Sequence, residues 1–149
     1  MRCSSLVWAL PLLLVSCSAK DAVSLSVRLS PATVTVTNGA FGGAASGNFQ
    51  LTFSLGPEAS GPTTVTLENF SLQTLQGAPL VPVLSLEPAT GPLLLNKGDS
   101  KSLTFTFTDQ QVDHDAACAG QVEIRGSVSD TLKGGTDPVV SDAITPDCG

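Results

Sequence analysis

Apolar and polar residues alternate along most of the chain after Asp21, which is the pattern of half-buried β-strands. In the clearest run, from Phe49 to Leu55, every second residue is apolar and the residues between them are Gln, Thr and Ser. A second run, from Leu103 to Thr108, alternates without interruption. Each run predicts a strand that buries one face and exposes the other, as in an antiparallel sheet.

Shorter runs predict the remaining strands, at 23–29 continued by 33–37, and at 63–67, 81–86, 93–95, 122–128 and 139–145. Ser30-Pro31 interrupts the first of them, and a change of parity predicts a bulge near Glu68-Asn69. Pro82 suits an edge strand because proline cannot donate a ladder hydrogen bond. Seven or eight short strands separated by Gly, Pro and Asn turns favour a sandwich of two sheets.

The beginning of the chain has a different pattern. Arg2 precedes an uncharged apolar stretch, Leu6–Val15, which ends in Leu14-Val15-Ser16-Cys17. This arrangement predicts a secretory signal. A membrane-spanning signal anchor is one alternative, but a spanning helix needs about 20 mostly apolar residues and this stretch is about half as long. An ordinary signal cleaved near Ser16-Cys17-Ser18-Ala19 is the other alternative.

The Leu-Val-Ser-Cys string resembles the lipobox of bacterial lipoproteins. The resemblance implies cleavage before Cys17, lipid on its thiol and acylation of its new amine. It divides the chain into a signal peptide (1–16), a lipidated cysteine with a short tether (17–22) and a folded domain (23–149). Several acyl chains would anchor the protein to a membrane without spanning it. Ser18 follows the cysteine, and in that family's sorting rule this favours the outer membrane over the inner one.

The strand-rich part resembles bacterial immunoglobulin-like domains. The resemblance lies in the strand count, the Ser30-Pro31-Ala32-Thr33 break and the turn Asn96–Ser100 before a Thr/Phe strand. It implies an all-β fold, an immunoglobulin-like two-sheet antiparallel sandwich of seven to eight strands. It implies no activity, because this architecture carries many unrelated functions.

Two cysteines remain once Cys3 is removed with the signal and Cys17 carries lipid. Cys118 and Cys148 can therefore pair only with each other, and an exported domain meets an oxidising environment. A hairpin centred near Lys133-Gly134 would place Arg125 opposite Ser141 and the two cysteines opposite each other. The sequence therefore predicts a disulfide that closes the base of the last hairpin.

Few residues suggest chemistry. His114 is the only histidine, so a site with two histidine ligands cannot form, and we expect neither an enzyme nor a cofactor. The glycine-rich stretch Gly39–Gly47 precedes a strand and not a helix, which argues against phosphate binding and for a strand connection. Asp109, Asp113 and Asp115 offer oxygen ligands that could suit calcium, although acidic surface loops are common.

Composition narrows the choice of partners. The chain has a net charge of −6 and no polybasic patch, which argues against binding to nucleic acid. The predicted mature part lacks Trp and Tyr, which argues against binding to carbohydrate through aromatic platforms. The predicted end away from the membrane unites the first turn (38–47), the segment 109–117 and the end of the chain. It carries the candidate protein-partner surface, which consists of Phe41, Asp113, His114 and Asp115.

These observations predict a non-enzymatic lipoprotein of the bacterial cell envelope with a structural or protein-interaction role. The alternative is an envelope module that binds calcium or a small ligand.

Overall fold

The computed structural model describes residues 25–40 and 42–149, which form a sandwich of two β-sheets. The first sheet has the spatial order β6 (Ser100–Val112), β2 (Gly42–Leu55), β1 (Leu25–Gly39) and β9 (Asp147–Cys148). The second has the order β4 (Pro79–Val81), β3 (Thr63–Thr74), β7 (Val122–Asp130) and β8 (Thr136–Val140), and β5 (Leu93–Leu95) also pairs with β3. One short helix in the described ranges, α1 (His114–Cys118), connects β6 to β7.

The predicted all-β, immunoglobulin-like sandwich is confirmed, with nine strands in place of seven or eight. Strand pairs are antiparallel except for β1 with β9, which run parallel. None of the helices in the part of the chain that the structure describes is long and apolar enough to cross a membrane. The predicted signal peptide and Cys17 lie outside the described residues.

The core lies between the sheets and follows the sequence alternation closely. Phe49, Leu51 and Phe53 of β2 are fully buried, as their spacing predicts. Phe105 and Phe107 of β6 fill the core beside them. The ring centroids of Phe49 and Phe105 are 5.7 Å apart, so aromatic contacts join neighbouring strands at the centre of the core.

Both predicted interruptions are present as local irregularities. The Ser30-Pro31 break is a bulge inside one continuous strand, because the pairing of β1 with β2 shifts register between Leu29 and Ala32. The pairing of β3 with β7 shifts between Glu68 and Ser71, and Asn69 there has a φ of 55°. The strand predicted at 81–86 is shorter and earlier than expected: β4 lies at the edge of its sheet and ends just before Pro82.

The last hairpin differs from the predicted register by one residue. Arg125 lies opposite Val140, and Ser141 instead meets Ile124. The Ser141 hydroxyl accepts a hydrogen bond of 2.9 Å from the Ile124 amide, so a side chain replaces the next carbonyl of the ladder. After Ile144, which bridges to Val122 of β7, the chain leaves the second sheet and pairs with the first as β9.

The two ends of the sandwich are built from different connections. The first end contains the start of β1, the β2–β3 connection (56–62), the β5–β6 turn (96–99) and the β7–β8 turn (131–135). The far end contains the β1–β2 hairpin, the β3–β4 turn (75–78), α1 and β9.

Candidate binding cleft at the far end

An open cleft of about 530 Å³ lies at the far end, where elements of both sheets meet. It is lined by Asn38 at the end of β1, Gly42-Gly43 at the start of β2, and Leu80 of β4. The remaining wall is the continuous segment Gln111–Asp115, which runs from β6 into α1. Residues of the first turn and part of the 109–117 segment line this cleft, and Gly149 at the end of the chain bonds to Asn38 beside it.

Helix α1 begins where a side chain satisfies its first amides. Asp113 precedes the helix in an extended conformation, and its Oδ1 accepts a hydrogen bond of 3.1 Å from the Ala116 amide. This is an N-cap, which stabilises a helix start by pairing an amide that lacks a helical partner. Ala117, with no exposed surface, anchors the helix to the core. The sequence predicted a loop here, because five residues are too few to show helical periodicity.

The start of α1 lies directly on β2 because residue 43 is glycine. A Cβ at Gly43 would lie 2.9 Å from the His114 Cβ and 3.0 Å from the Val112 carbonyl oxygen. Both neighbours belong to the wall of the cleft, and one of them is backbone, so a side chain at this position would displace the wall. Gly43 therefore sets the position of His114.

His114 and Asp115 form a pair at the rim of the cleft. The His114 Nδ1 and the Asp115 Oδ1 are 3.2 Å apart. The histidine side chain is 23% exposed and the aspartate side chain is fully exposed. The pair therefore orients an imidazole toward the cleft and presents a carboxylate to solvent. Imidazole nitrogens and carboxylate oxygens can both form hydrogen bonds to a bound molecule.

The predicted disulfide between Cys118 and Cys148 is present, with a Cα–Cα distance of 6.2 Å. Its structural role differs from the prediction. Cys118 ends α1 and Cys148 lies in β9, so the bond joins the helix to a strand of the first sheet and does not close the β7–β8 hairpin. The reason is the departure of the chain from β7 after Ile144. Closing a loop of 30 residues stabilises the fold by about 3–4 kcal/mol in the chain-entropy model.

Strand β9 depends on this bond. Residues 145–149 are exposed or half-buried, so little apolar surface holds them. The Asn38 amide donates to the Gly149 carbonyl and the Gly149 amide donates to the Val36 carbonyl, each at 3.0 Å. Such hydrogen bonds contribute roughly 1 kcal/mol each. Ordering the backbone of five residues costs roughly 1–2 kcal/mol per residue. The hydrogen bonds alone do not offset this cost, so the disulfide keeps β9 on β1.

The carboxylates of the calcium hypothesis do not form a site. Asp109 lies in a bulge of β6 with a φ of 50°, and its amide donates to the Ser46 hydroxyl at 3.1 Å. Asp113 caps α1 and Asp115 pairs with His114, so the three side chains serve separate local roles. Within residues 25–40 and 42–149, no group of three or more His, Cys, Asp or Glu could hold a metal ion.

The candidate partner surface is largely brought together. Asp113, His114 and Asp115 all line the cleft, while Phe41 lies outside the described residues and its role stays a prediction. The sequence did not point to Leu80, which lies just before a predicted strand, or to Gln111. The glycine-rich stretch did contain a usable signal. Gly43 was interpreted as part of a strand connection, although a glycine in a strand often marks a place where another segment of backbone packs closely against it.

Charge is distributed unevenly between the two ends. Four of the five Lys and Arg residues in the described ranges lie in the half next to the first end: Arg28, Lys97, Lys101 and Lys133. Acidic residues balance them there, among them Glu58 and Asp99. The cleft has carboxylates at Asp113 and Asp115 and no Lys or Arg among its described lining residues. The exposed Asp147 of β9 adds a further negative charge to the far end.

Comparisons with known proteins identify no family. No protein-family model matches the chain, and no curated protein matches it. A solved structure with some similarity is that of self-complemented MyfA, the major subunit of Myf fimbriae from Yersinia enterocolitica. The two chains are 14% identical, the alignment covers 82% of this chain and 98% of that one, and the TM-score is 0.36.

Proposed function

We propose that this protein is a lipid-anchored component of the bacterial cell envelope that works without catalysis, by binding a protein partner at its far end. The single observation that carries the binding role is the cleft, in which Leu80 and Val112 lie beside amide, imidazole and carboxylate groups. The lipobox-like string ending at Cys17 supports the anchor, and Ser18 supports the outer membrane as its location.

The length of β1 supports an orientation in which the first end lies near the membrane and the far end points away from it. Seven residues lie between Cys17 and Leu25, so the eight steps of chain between them can span at most about 28 Å. Strand β1 then runs 15 residues to Gly39, a length of roughly 45 Å. A short tether followed by a long strand holds the first end near the bilayer and the cleft away from it. Partners in the envelope could then reach the cleft.

The rigid walls of the cleft favour a binding site over a surface that contacts only solvent. Its walls are fixed by the Asp113 cap, the contact between Gly43 and His114, and the Cys118–Cys148 bond. A site fixed in advance loses little conformational entropy when it binds. Leu80 offers an apolar contact and the surrounding carboxylates carry negative charge. This combination fits a protein segment that presents a Lys or Arg beside an apolar side chain.

The anchor is tested by the intact mass of detergent-extracted protein. The chain should begin at Cys17 and carry acyl groups, and Cys17→Ala should abolish partitioning into detergent. A processed native protein without acyl groups would contradict the lipid anchor but would leave the binding proposal standing.

The binding role is tested by photo-crosslinking in intact cells from a probe residue at position 115, with the full lipidated chain. We expect one specific crosslinked protein, and we expect Asp115→Lys in a chain probed at Gln111 to reduce its yield at least tenfold. Glu58→Lys at the first end is the matched control, because it makes the same charge change at an exposed residue far from the cleft. Equal losses from both variants, or loss from Glu58→Lys alone, would contradict a partner site in the cleft.

A further inference from the structure

We infer that the Cys118–Cys148 disulfide is a redox-sensitive latch, which on reduction releases residues 145–149 from β1 and uncovers the edge of that strand. The inference concerns the conformation of the far end and does not depend on the proposed partner. It follows from the exposure of the bond, the weak attachment of β9 and the position of both cysteines in the fold.

The bond is accessible from one side. Cys148 is exposed, whereas Cys118 is half-buried and packs against the core. A thiolate can therefore reach the Cys148 sulfur more readily than the Cys118 sulfur. Exposed disulfides are the ones that exchange with external thiols, whereas deeply buried ones resist reduction.

The chemistry is an exchange with a dithiol reductant of the envelope. One thiolate of the reductant attacks Sγ of Cys148, forms a mixed disulfide and releases Cys118 as a thiolate, which takes up a proton. The second thiol of the reductant then attacks the reductant sulfur that is bonded to Cys148. This closes a disulfide within the reductant and releases Cys148. Two electrons and two protons pass from the dithiol to the protein, and the reductant leaves as a disulfide.

The structural consequence is confined to the last residues. Ile144 is buried and bridges to Val122, so the chain up to this residue stays attached to β7. Beyond Ile144, attachment depends on the pairing with Thr35 and Val36 and on the hydrogen bonds that join Gly149 to β1. Helix α1 keeps its own anchors, the buried Ala117 and the Asp113 cap. Reduction should therefore free β9 while α1 and the sheets remain folded.

Release of β9 changes what the far end offers to other molecules. The carbonyl of Val36 and the amide of Asn38, which now bond to Gly149, would lose their partners. They lie on the outer edge of β1, within and directly after the sequence Thr33-Val-Thr-Val-Thr37. Unpaired strand edges of this kind bind extended segments of other chains. Asn38 also lines the cleft, so the same event alters one of its walls.

Amide hydrogen exchange of the folded protein, measured by NMR before and after addition of dithiothreitol, tests the latch. We expect exchange at Asn38 and Gly149 to accelerate at least tenfold on reduction, while exchange at Leu51 in the centre of β2 stays unchanged. Re-oxidation should restore the protection. The double variant Cys118→Ser, Cys148→Ser should behave like the reduced protein without any reductant.

Two results would overturn the inference. Unchanged exchange at Asn38 in a chain with two titratable free thiols would mean that β9 holds without the bond. Acceleration at Asn38 and Leu51 together would mean that the disulfide supports the whole sandwich and does not act as a local latch. Because reduction is performed on protein that is already folded, a double variant that fails to fold does not prevent the test.

Discussion

The two ends of the sandwich are closed by different physical means. At the first end, the carboxylate of Asp130 is 6% exposed and a single oxygen accepts three hydrogen bonds. The donors are the Thr63 hydroxyl at 3.2 Å, the Leu132 amide at 2.9 Å and the Lys133 amide at 2.8 Å. One side chain thereby fixes the β7–β8 turn and ties it to the start of β3.

The far end has no carboxylate among its described residues that accepts three hydrogen bonds; its least exposed one, Glu123 at the start of β7, has a 12% exposed side chain and accepts one bond of 3.0 Å from the Gln73 side-chain amide. This end is closed by a covalent bond between α1 and β9, by a capped helix of five residues and by a close contact at Gly43. These devices hold backbone segments in place while leaving polar side chains free at the surface. The first end therefore stabilises a turn with a buried carboxylate, whereas at the far end the side chains of His114 and Asp115 stay 23% and fully exposed.

Among substitutions that test the difference between the two ends, we expect the largest loss of stability at Asp130. Asp130→Ala leaves two turn amides and one hydroxyl without their acceptor, which should lower the free energy of unfolding by about 3 kcal/mol. Asp130→Asn keeps an acceptor oxygen in place, so its loss should be roughly half as large. Urea unfolding monitored by circular dichroism measures both variants. A loss below about 1 kcal/mol for the alanine variant would show that the turn does not depend on this carboxylate.

The fold was largely predictable from sequence because its strands are amphipathic. Strands such as Phe49–Leu55 bury alternate residues, so the apolar residues occupy every second position of the sequence. The bulges at Ser30-Pro31 and Asn69 were predictable for the same reason, since a proline and a change of parity mark them. Strand β9 was not predictable: two exposed residues have no pattern, and their pairing with β1 follows from the disulfide and not from burial.

The candidate site was predictable only in part. The position of Asp113, His114 and Asp115 in one connection was visible in sequence, and so was their approach to the first hairpin. Their roles were not visible, because a carboxylate that caps a short helix has the same sequence appearance as a metal ligand. Leu80 reaches the cleft through the three-dimensional path of the chain, which no local pattern records.

The second expected effect is at Gly43, where the contact that positions α1 can be broken without removing a polar group. Gly43→Ala should lower the free energy of unfolding by about 1–2 kcal/mol, because the His114 and Val112 backbone must shift. Gly120→Ala is the matched control, since a Cβ there meets nothing within 4 Å. Chemical denaturation of both variants gives the comparison. Equal stability of the two would show that α1 can move away from β2 at little cost.

Displacement of His114 adds a second measurement to the same variant. The crosslinking yield from the cleft should fall in Gly43→Ala and stay unchanged in Gly120→Ala, because only the first substitution moves a wall of the cleft. A variant at Gly43 that loses stability but keeps the full crosslinking yield would show that binding does not depend on the position of α1.

The smallest expected effect concerns the cap of α1. It tests whether Asp113 stabilises the helix or contributes only surface charge. Asp113→Ala removes the oxygen that accepts from the Ala116 amide, which should cost about 1 kcal/mol of folding free energy. Asp113→Asn retains a capping oxygen and should cost no more than a few tenths of a kcal/mol. Asp115→Ala is the second control, because that side chain is fully exposed and makes no contact with a helix amide.

Thermal unfolding and amide exchange at Ala116 distinguish the outcomes. The cap interpretation requires faster exchange at Ala116 in Asp113→Ala and wild-type exchange in both controls, because only the alanine at position 113 leaves that amide without an acceptor. If Asp115→Ala and Asp113→Ala destabilise the protein equally, the effect is one of surface charge and the cap contributes nothing. In that case Asp113, like Asp115, would be free to meet a partner, and the contrast between the two ends would be sharper than the structure implies.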